Sequence, residues 1–181
     1  MARARTVARV HDAVLALVAE GGYAAVTMEG IAARARLSKQ TLYRSWPSTA
    51  AILFDALLAR STDEDGEIDV PDTGDLARDL ENLLLTTAEE MTNPATDRLL
   101  RAVTAEIQTR ENLAEQLRVR LLEPQFRAVE RRIARGGVED AEAAAELLYG
   151  PVFHRWLLRT KPIDPDWVRA HVTRTLRAFG D

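Results

Sequence analysis

Ser38, Lys39, Gln40 and Thr41 are four consecutive polar residues, and Tyr43, Arg44 and Trp46 follow closely. Their types suit the edges and backbone of a DNA duplex. A lysine ammonium donates to guanine O6 and N7, and a glutamine amide pairs with adenine N6 and N7. The hydroxyls of Thr27 and Ser48, at expected helix starts, suit phosphate oxygens together with nearby backbone N–H groups. Tyr43 and Trp46 can set an O–H or a ring N–H against the sugar–phosphate chain, and Arg44, with Arg3 and Arg5 as an N-terminal arm, adds electrostatic attraction. No catalytic pattern competes with this one. The chain lacks cysteine, a Gly-rich phosphate loop and a G-x-S-x-G elbow. His11, His154 and His171 are scattered, and no Glu-x-x-His pair supports a metal site. The expectation is a protein that is not an enzyme and carries no cofactor or metal.

Such contacts require a helix end delivered into a major groove. Thr27 to Trp46 reads as a helix, a tight turn and a second short helix. Thr27 caps MEGIAARA; Gly30 stands where a capping box would place Glu or Gln, so the cap is a simple one. Arg36-Leu37-Ser38 forms the turn, and Ser38 caps KQTLYRSW. Ile31, Ala32, Ala35, Leu37 and Leu42 supply the small and apolar contacts between the two helices. Pro47 prevents continuation, and Ser48 opens a further helix, STAAILFDALLAR, with Ile52, Leu53, Ala56 and Leu57 as its stripe. An earlier helix, from about Thr6 to Glu20, carries Val7, Val10, Val14, Leu17 and Val18 on one face and stops at Gly21-Gly22.

The whole chain fits this reading. Its 181 residues are 46% hydrophobic, enough for one or two cores, and rich in Ala, Leu, Arg and Glu, which predicts an all-α protein. Net charge is −4, but residues 1–60 hold eight Lys/Arg against four Asp/Glu, while residues 61–181 hold sixteen against twenty-four. A basic head on an acidic body is a nucleic-acid pattern. No apolar run reaches the roughly 18 residues that span a bilayer. The start resembles a signal peptide, yet His11, Asp12 and Glu20 interrupt it and no A-x-A site follows. The expected location is cytoplasmic, with no membrane partner.

Residues 61–75 carry seven acids and no base, and read as a linker between a head at 1–60 and a body at 76–181. In the body, Leu76, Leu80, Leu83, Leu84, Thr87 and Met91 trace one helix face. Pro94 opens a helix with Leu99, Leu100, Val103 and Ile107. A longer helix from about Asn112 to Arg135 has Leu117, Leu121, Val129 and Ile133 inward, with a kink or break expected at Pro124. Residues 139–159 form another, bent at Gly150-Pro151, and Pro165 opens the last. Met91, Val103, Phe126, Phe153 and Trp156 are candidate lining for a ligand pocket, which bent and imperfectly packed helices favour.

The stretch Ser38 to Ser48 resembles the recognition helix and exit of the TetR family of transcriptional regulators, and Gly22 to Met28 with Ile31-Ala32 resembles its approach. The likeness is clear over residues 9–58. It extends more loosely to the C-terminus through Leu148-Tyr149-Gly150-Pro151-Val152-Phe153 and Trp167 to Phe179. It implies an all-α fold: a three-helix helix-turn-helix head and a C-terminal helical bundle for dimerisation and ligand binding. It also implies a repressor that binds a pseudo-palindromic double-stranded operator as a homodimer and is released by a small apolar or amphipathic effector. In the family the last two helices make the dimer, for which Leu147, Leu158, Trp167, His171 and Leu176 are candidates here. Two positions depart from the family's pattern. Arg36 stands where the turn usually has Gly. Thr49 stands where a phosphate-binding Lys is common, keeping a hydroxyl but losing a charge. The competing reading is a helical protein–protein adaptor with a degenerate DNA-binding head.

Overall fold

The structure is a computed structural model that describes residues 2–61, 68 and 70–179. The fold is all-α, and its chain separates into two compact units, residues 1–67 with 98–124 and residues 68–97 with 125–181. These units do not coincide with sequence boundaries drawn at residues 60 and 76. Residues 62–67 and 69 of the acidic stretch lie outside the described residues.

The first unit begins with α1 (Ala2–Gly21), a 3₁₀ turn at Tyr23–Ala25, α2 (Met28–Ala35), α3 (Lys39–Tyr43) and α4 (Thr49–Leu58). Val10, Ala13, Val14 and Val18 recur at helical spacing on α1 and are buried against α2 and α4. Gly22 leaves α1 at φ 73°, and its N–H returns to the Val18 carbonyl. That left-handed exit is where a side chain would be strained. On α4 the stripe read from sequence is too narrow. Ala50, Ala51, Ile52, Leu53, Phe54 and Ala56 are all buried, whereas Leu57 is only half-buried. A helix that is apolar all round needs cover on more than one side. α1 covers one side. Leu99 and Val103 of α6 (Pro94–Ile107), Leu113 of α7 (Glu111–Leu117) and Leu121 complete the same core. Residues 98–124 join the head for this reason.

α7 runs into a π turn at Arg118–Leu122 and then into α8 (Glu123–Arg135). Pro124 cannot donate a backbone hydrogen bond, and its ring would clash with the carbonyl four residues back. The Glu123 N–H bonds to the Arg118 carbonyl, five residues back. The break expected at Pro124 is thus a widened turn immediately before it.

The second unit packs α5 (Leu76–Thr92) against α9 (Ala141–Leu158) and α10 (Pro165–Phe179), with α9 also on α10. Its core includes Leu80, Leu84, Val129, Ile133, Leu148, Val152, Val168 and Val172. α9 runs as one helix through Pro151. The end of the acidic stretch is fastened rather than loose. Asp79 is fully buried and accepts from the Thr73 N–H at 2.9 Å and the Thr73 hydroxyl at 2.7 Å. The Arg132 guanidinium bonds Asp79 at 2.5 Å and the Pro71 carbonyl at 3.0 Å. Burial opposes the Asp79 charge, but the hydrogen bonds from Thr73 and Arg132 outweigh it and hold the carboxyl below its ordinary value. Among the described residues no helix is long and apolar enough to cross a membrane.

Candidate nucleic-acid interface

Each helix start at the candidate site is set by a local hydroxyl. Thr27 Oγ1 accepts from the Gly30 N–H at 3.0 Å, and Ser38 Oγ accepts from the Thr41 N–H at 3.1 Å. Both are N-caps of the expected kind. Leu42, wholly buried, anchors the short α3, so its other residues face outward: Lys39, Gln40, Tyr43 and Arg44 are exposed and Thr41 is half-buried. α3 ends at Tyr43, earlier than KQTLYRSW suggested. Ser38 and Thr41 also bond each other through their hydroxyls at 2.8 Å.

The turn is a left-handed one made without glycine. Arg36 sits at φ 54° and ψ 49°, and the Leu37 N–H reaches back to the Ala32 carbonyl at 2.9 Å. This closes α2 in the manner of a Schellman motif. A side chain there costs on the order of 1 kcal/mol. Arg9 of α1 offsets part of it: its guanidinium donates to the carbonyls of Ala35 and Arg36, satisfying helix-end acceptors. A second tie, Arg34 to Glu20 through two bonds of 2.7 and 2.6 Å, joins α2 to the end of α1.

Lys39 is not an isolated cation. Its Nζ donates to Glu29 Oε1 at 2.7 Å, and both side chains are more than half exposed. The mutual hydrogen bond raises the lysine pKa and lowers that of the glutamate.

Trp46 requires a correction. It is 7% exposed, and its ring N–H donates to Asp55 Oδ2 at 2.7 Å. His11 Nε2 meets the same oxygen at 3.1 Å and stands edge-on to the indole. The His11 hydrogen bond, with that of Trp46, holds the Asp55 carboxyl below its usual value despite partial burial. The indole N–H is therefore consumed inside the head. Ser48 is likewise committed: its hydroxyl accepts from the Ala51 N–H and donates to Gln116 Oε1 at 2.8 Å. Thr49 begins α4 half-buried. Arg3 and Arg5 belong to the first turns of α1 rather than to an extended arm, and Arg5 is exposed.

The candidate pocket residues fall in different places. Val103 is buried in the core of the first unit. In the second unit Met91 and Trp156 are buried, and Phe126 and Phe153 are half-buried. Tyr149 joins the two phenylalanines, with ring centroids 5.2 and 6.3 Å away. Burial pushes its phenol up to about 12, against a hydrogen bond with Thr87. Trp156 donates its ring N–H to Asp97 at 2.8 Å. Of the dimer candidates, Leu147 and Leu158 are exposed, with Leu157 beside them. Trp167 and Leu176 are half-buried. His171 is buried and meets the Leu148 carbonyl at 2.9 Å, so it faces inward.

Glu29, Asp55, Arg9 and Gln116 were not singled out from sequence. Their partners lie nine to sixty-eight residues away, beyond the i,i+3 and i,i+4 neighbours of a helix. The acidic residue in the first turn of α2 was the one visible hint.

Two family models match the chain: that of bacterial regulatory proteins of the tetR family over residues 11–56, and the tetracyclin repressor-like C-terminal domain over residues 70–175. An uncharacterized HTH-type transcriptional regulator of Bacillus subtilis, YdeS, is 33% identical over 88% of this chain and 84% of its own length. The HTH-type transcriptional repressor KstR of Rhodococcus jostii is 49% identical over 27% of this chain and 23% of its own length. The crystal structure of the TetR family transcription regulator SCO0332 superposes with a TM-score of 0.80 at 30% identity, covering 95% of this chain and 97% of that one.

Proposed function

Since the chain belongs to the TetR family of helix-turn-helix transcriptional regulators, we propose that it is a repressor that binds a pseudo-palindromic duplex operator as a homodimer and is released by a small apolar or amphipathic effector. The observation that carries this reading is α3. One fully buried leucine fixes a five-residue helix whose remaining polar and aromatic residues are turned outward, Tyr43 to 54% exposure. A core helix would not leave a tyrosine so exposed, and groove-reading helices use this arrangement. Gln40 and Lys39 are the base-reading residues. Thr27, Ser38, Thr41, Tyr43, Arg44 and Thr49 serve the backbone, Ser48 through the N–H groups it orients.

One short helix reads too few base pairs for useful specificity, and a dimer reads two half-sites. The exposed Leu147, Leu157 and Leu158 on α9 are the apolar surface offered to the second copy. The aromatic row Phe126, Tyr149 and Phe153, with Met91 and Trp156 in the same unit, is the effector region. An effector acts only by binding one head spacing better than another.

Selection of random-core duplexes by the purified protein, followed by binding to the winners over a salt series, tests the reading. The expected result is a pseudo-palindrome bound with a steep salt slope. Absence of salt-dependent affinity for any duplex sinks it and favours the adaptor.

A further inference from the structure

We propose that Glu29 is a specificity-determining residue that works with Lys39 to read one G·C pair in each half-site. The inference rests on the DNA-binding reading above. Glu29 lies in the first turn of α2 and Lys39 opens α3, so this ion pair bridges the two helices of the helix-turn-helix. The pair is short, 2.7 Å, and neither side chain is buried by the rest of the molecule, at 54% and 64% exposure.

Donor arithmetic shows what the pair can still do. A lysine ammonium has three N–H donors and no acceptor. One is taken by Glu29 Oε1, which leaves two. The carboxylate keeps Oε2 and spare lone pairs on Oε1, all acceptors. The combined group therefore presents two donors beside an acceptor. In the major groove a G·C pair presents guanine N7 and O6 as acceptors and then the cytosine N4 amino donor. The orders are complementary: ammonium to guanine, carboxylate to cytosine. An A·T pair presents acceptor, donor, acceptor. It would set thymine O4 against the carboxylate, acceptor against acceptor, so Glu29 rejects the wrong pair as well as favouring the right one. The carboxylate also orients Lys39, a flexible point charge that otherwise discriminates poorly between acceptors.

The experiment compares the parent protein with Glu29→Gln, Lys39→Met and the double variant. Each is used to select random-core duplexes at one fixed salt concentration, with thermal unfolding as the control for folding. Because both side chains are exposed, unfolding should be unchanged. In the parent, one position mirrored in both half-sites should prefer G·C by on the order of tenfold. Glu29→Gln and Lys39→Met should each reduce that preference to within about twofold, at the same position. The double variant should lose no more than the single ones, the mark of a coupled pair. A different result overturns the inference: base preferences unchanged in Glu29→Gln while affinity for every duplex rises. Glu29 would then merely repel phosphate. Loss of preference at different positions in the two single variants also overturns it. A parent protein that enriches no duplex removes the DNA-binding reading itself, and this inference with it.

Discussion

Lys39 and Glu29 in the first unit, and Arg132 and Asp79 in the second, are ion pairs of similar length in opposite surroundings. The first pair is more than half exposed on both sides; the second is at most 3% exposed. Water competes for the first pair at no cost, so its net contribution to stability is small and its groups can be lent to another molecule. The second pair cannot be separated without leaving a charge in the core, where Thr73 would remain beside Asp79, and the Pro71 carbonyl and Asp72 beside Arg132. The tryptophans carry the same lesson. Trp46 and Trp156 both donate a ring N–H to an aspartate, at 2.7 and 2.8 Å, and both are buried. A buried polar group with its partner in place is architecture, while exposed groups such as Gln40, Tyr43 and Arg44 are the ones that can meet a ligand.

The contrast is broken or sharpened first at Arg132. Arg132→Ala should lower the midpoint of thermal unfolding by on the order of 10 °C; a shift of a degree or two would place this pair with the surface ones. Trp46→Ala comes next. It removes a large buried ring and leaves Asp55 with His11 as its remaining partner, so it should cost about 3 kcal/mol in chemical denaturation. Tyr43→Ala should move stability by less than about 0.5 kcal/mol while weakening binding to the selected duplex. Equal losses of stability in the two variants would mean that Tyr43 is packing, not contact.

The fourth test is pH. His171 is pushed below its ordinary value of 6.5, first by burial and further by Arg174 and Arg155, against the pull of the Leu148 carbonyl. The unfolded chain therefore takes up the proton first. Stability is complete above about 6.5 and declines as pH falls from there toward the lower folded value. Unfolding midpoints measured from pH 7.5 to 5 should show this decline, and it should be shallower in His171→Gln. The one stabilising change is Arg36→Gly. Relief of the left-handed conformation should stabilise the chain by about 0.5 to 1 kcal/mol, measured by denaturant unfolding.

Much of the head was legible because its signals are local. Thr27 and Ser38 cap backbone N–H groups three residues on, Gly22 must turn left-handed, and Pro124 must disturb a helix wherever the chain goes. The apolar faces of α1 and α5 follow from periodicity alone. The assignments that moved did so through distant partners. Trp46 looked like a phosphate ligand until Asp55, itself held by His11, claimed its N–H, and His171 looked like dimer surface until the Leu148 carbonyl drew it inward. Val103 was counted with the pocket but belongs to the core that covers α4.

The sequence by itself determined the helical class, the helix-turn-helix and its caps, and the family, because these depend on residue type and on spacings of three or four. Only the tertiary structure decided which polar groups are spent and which are offered. The partners of Lys39, Trp46 and Arg132 stand ten, nine and fifty-three residues away. A hydrogen bond is made or lost within about an ångström, a distance that is fixed only when whole helices have packed.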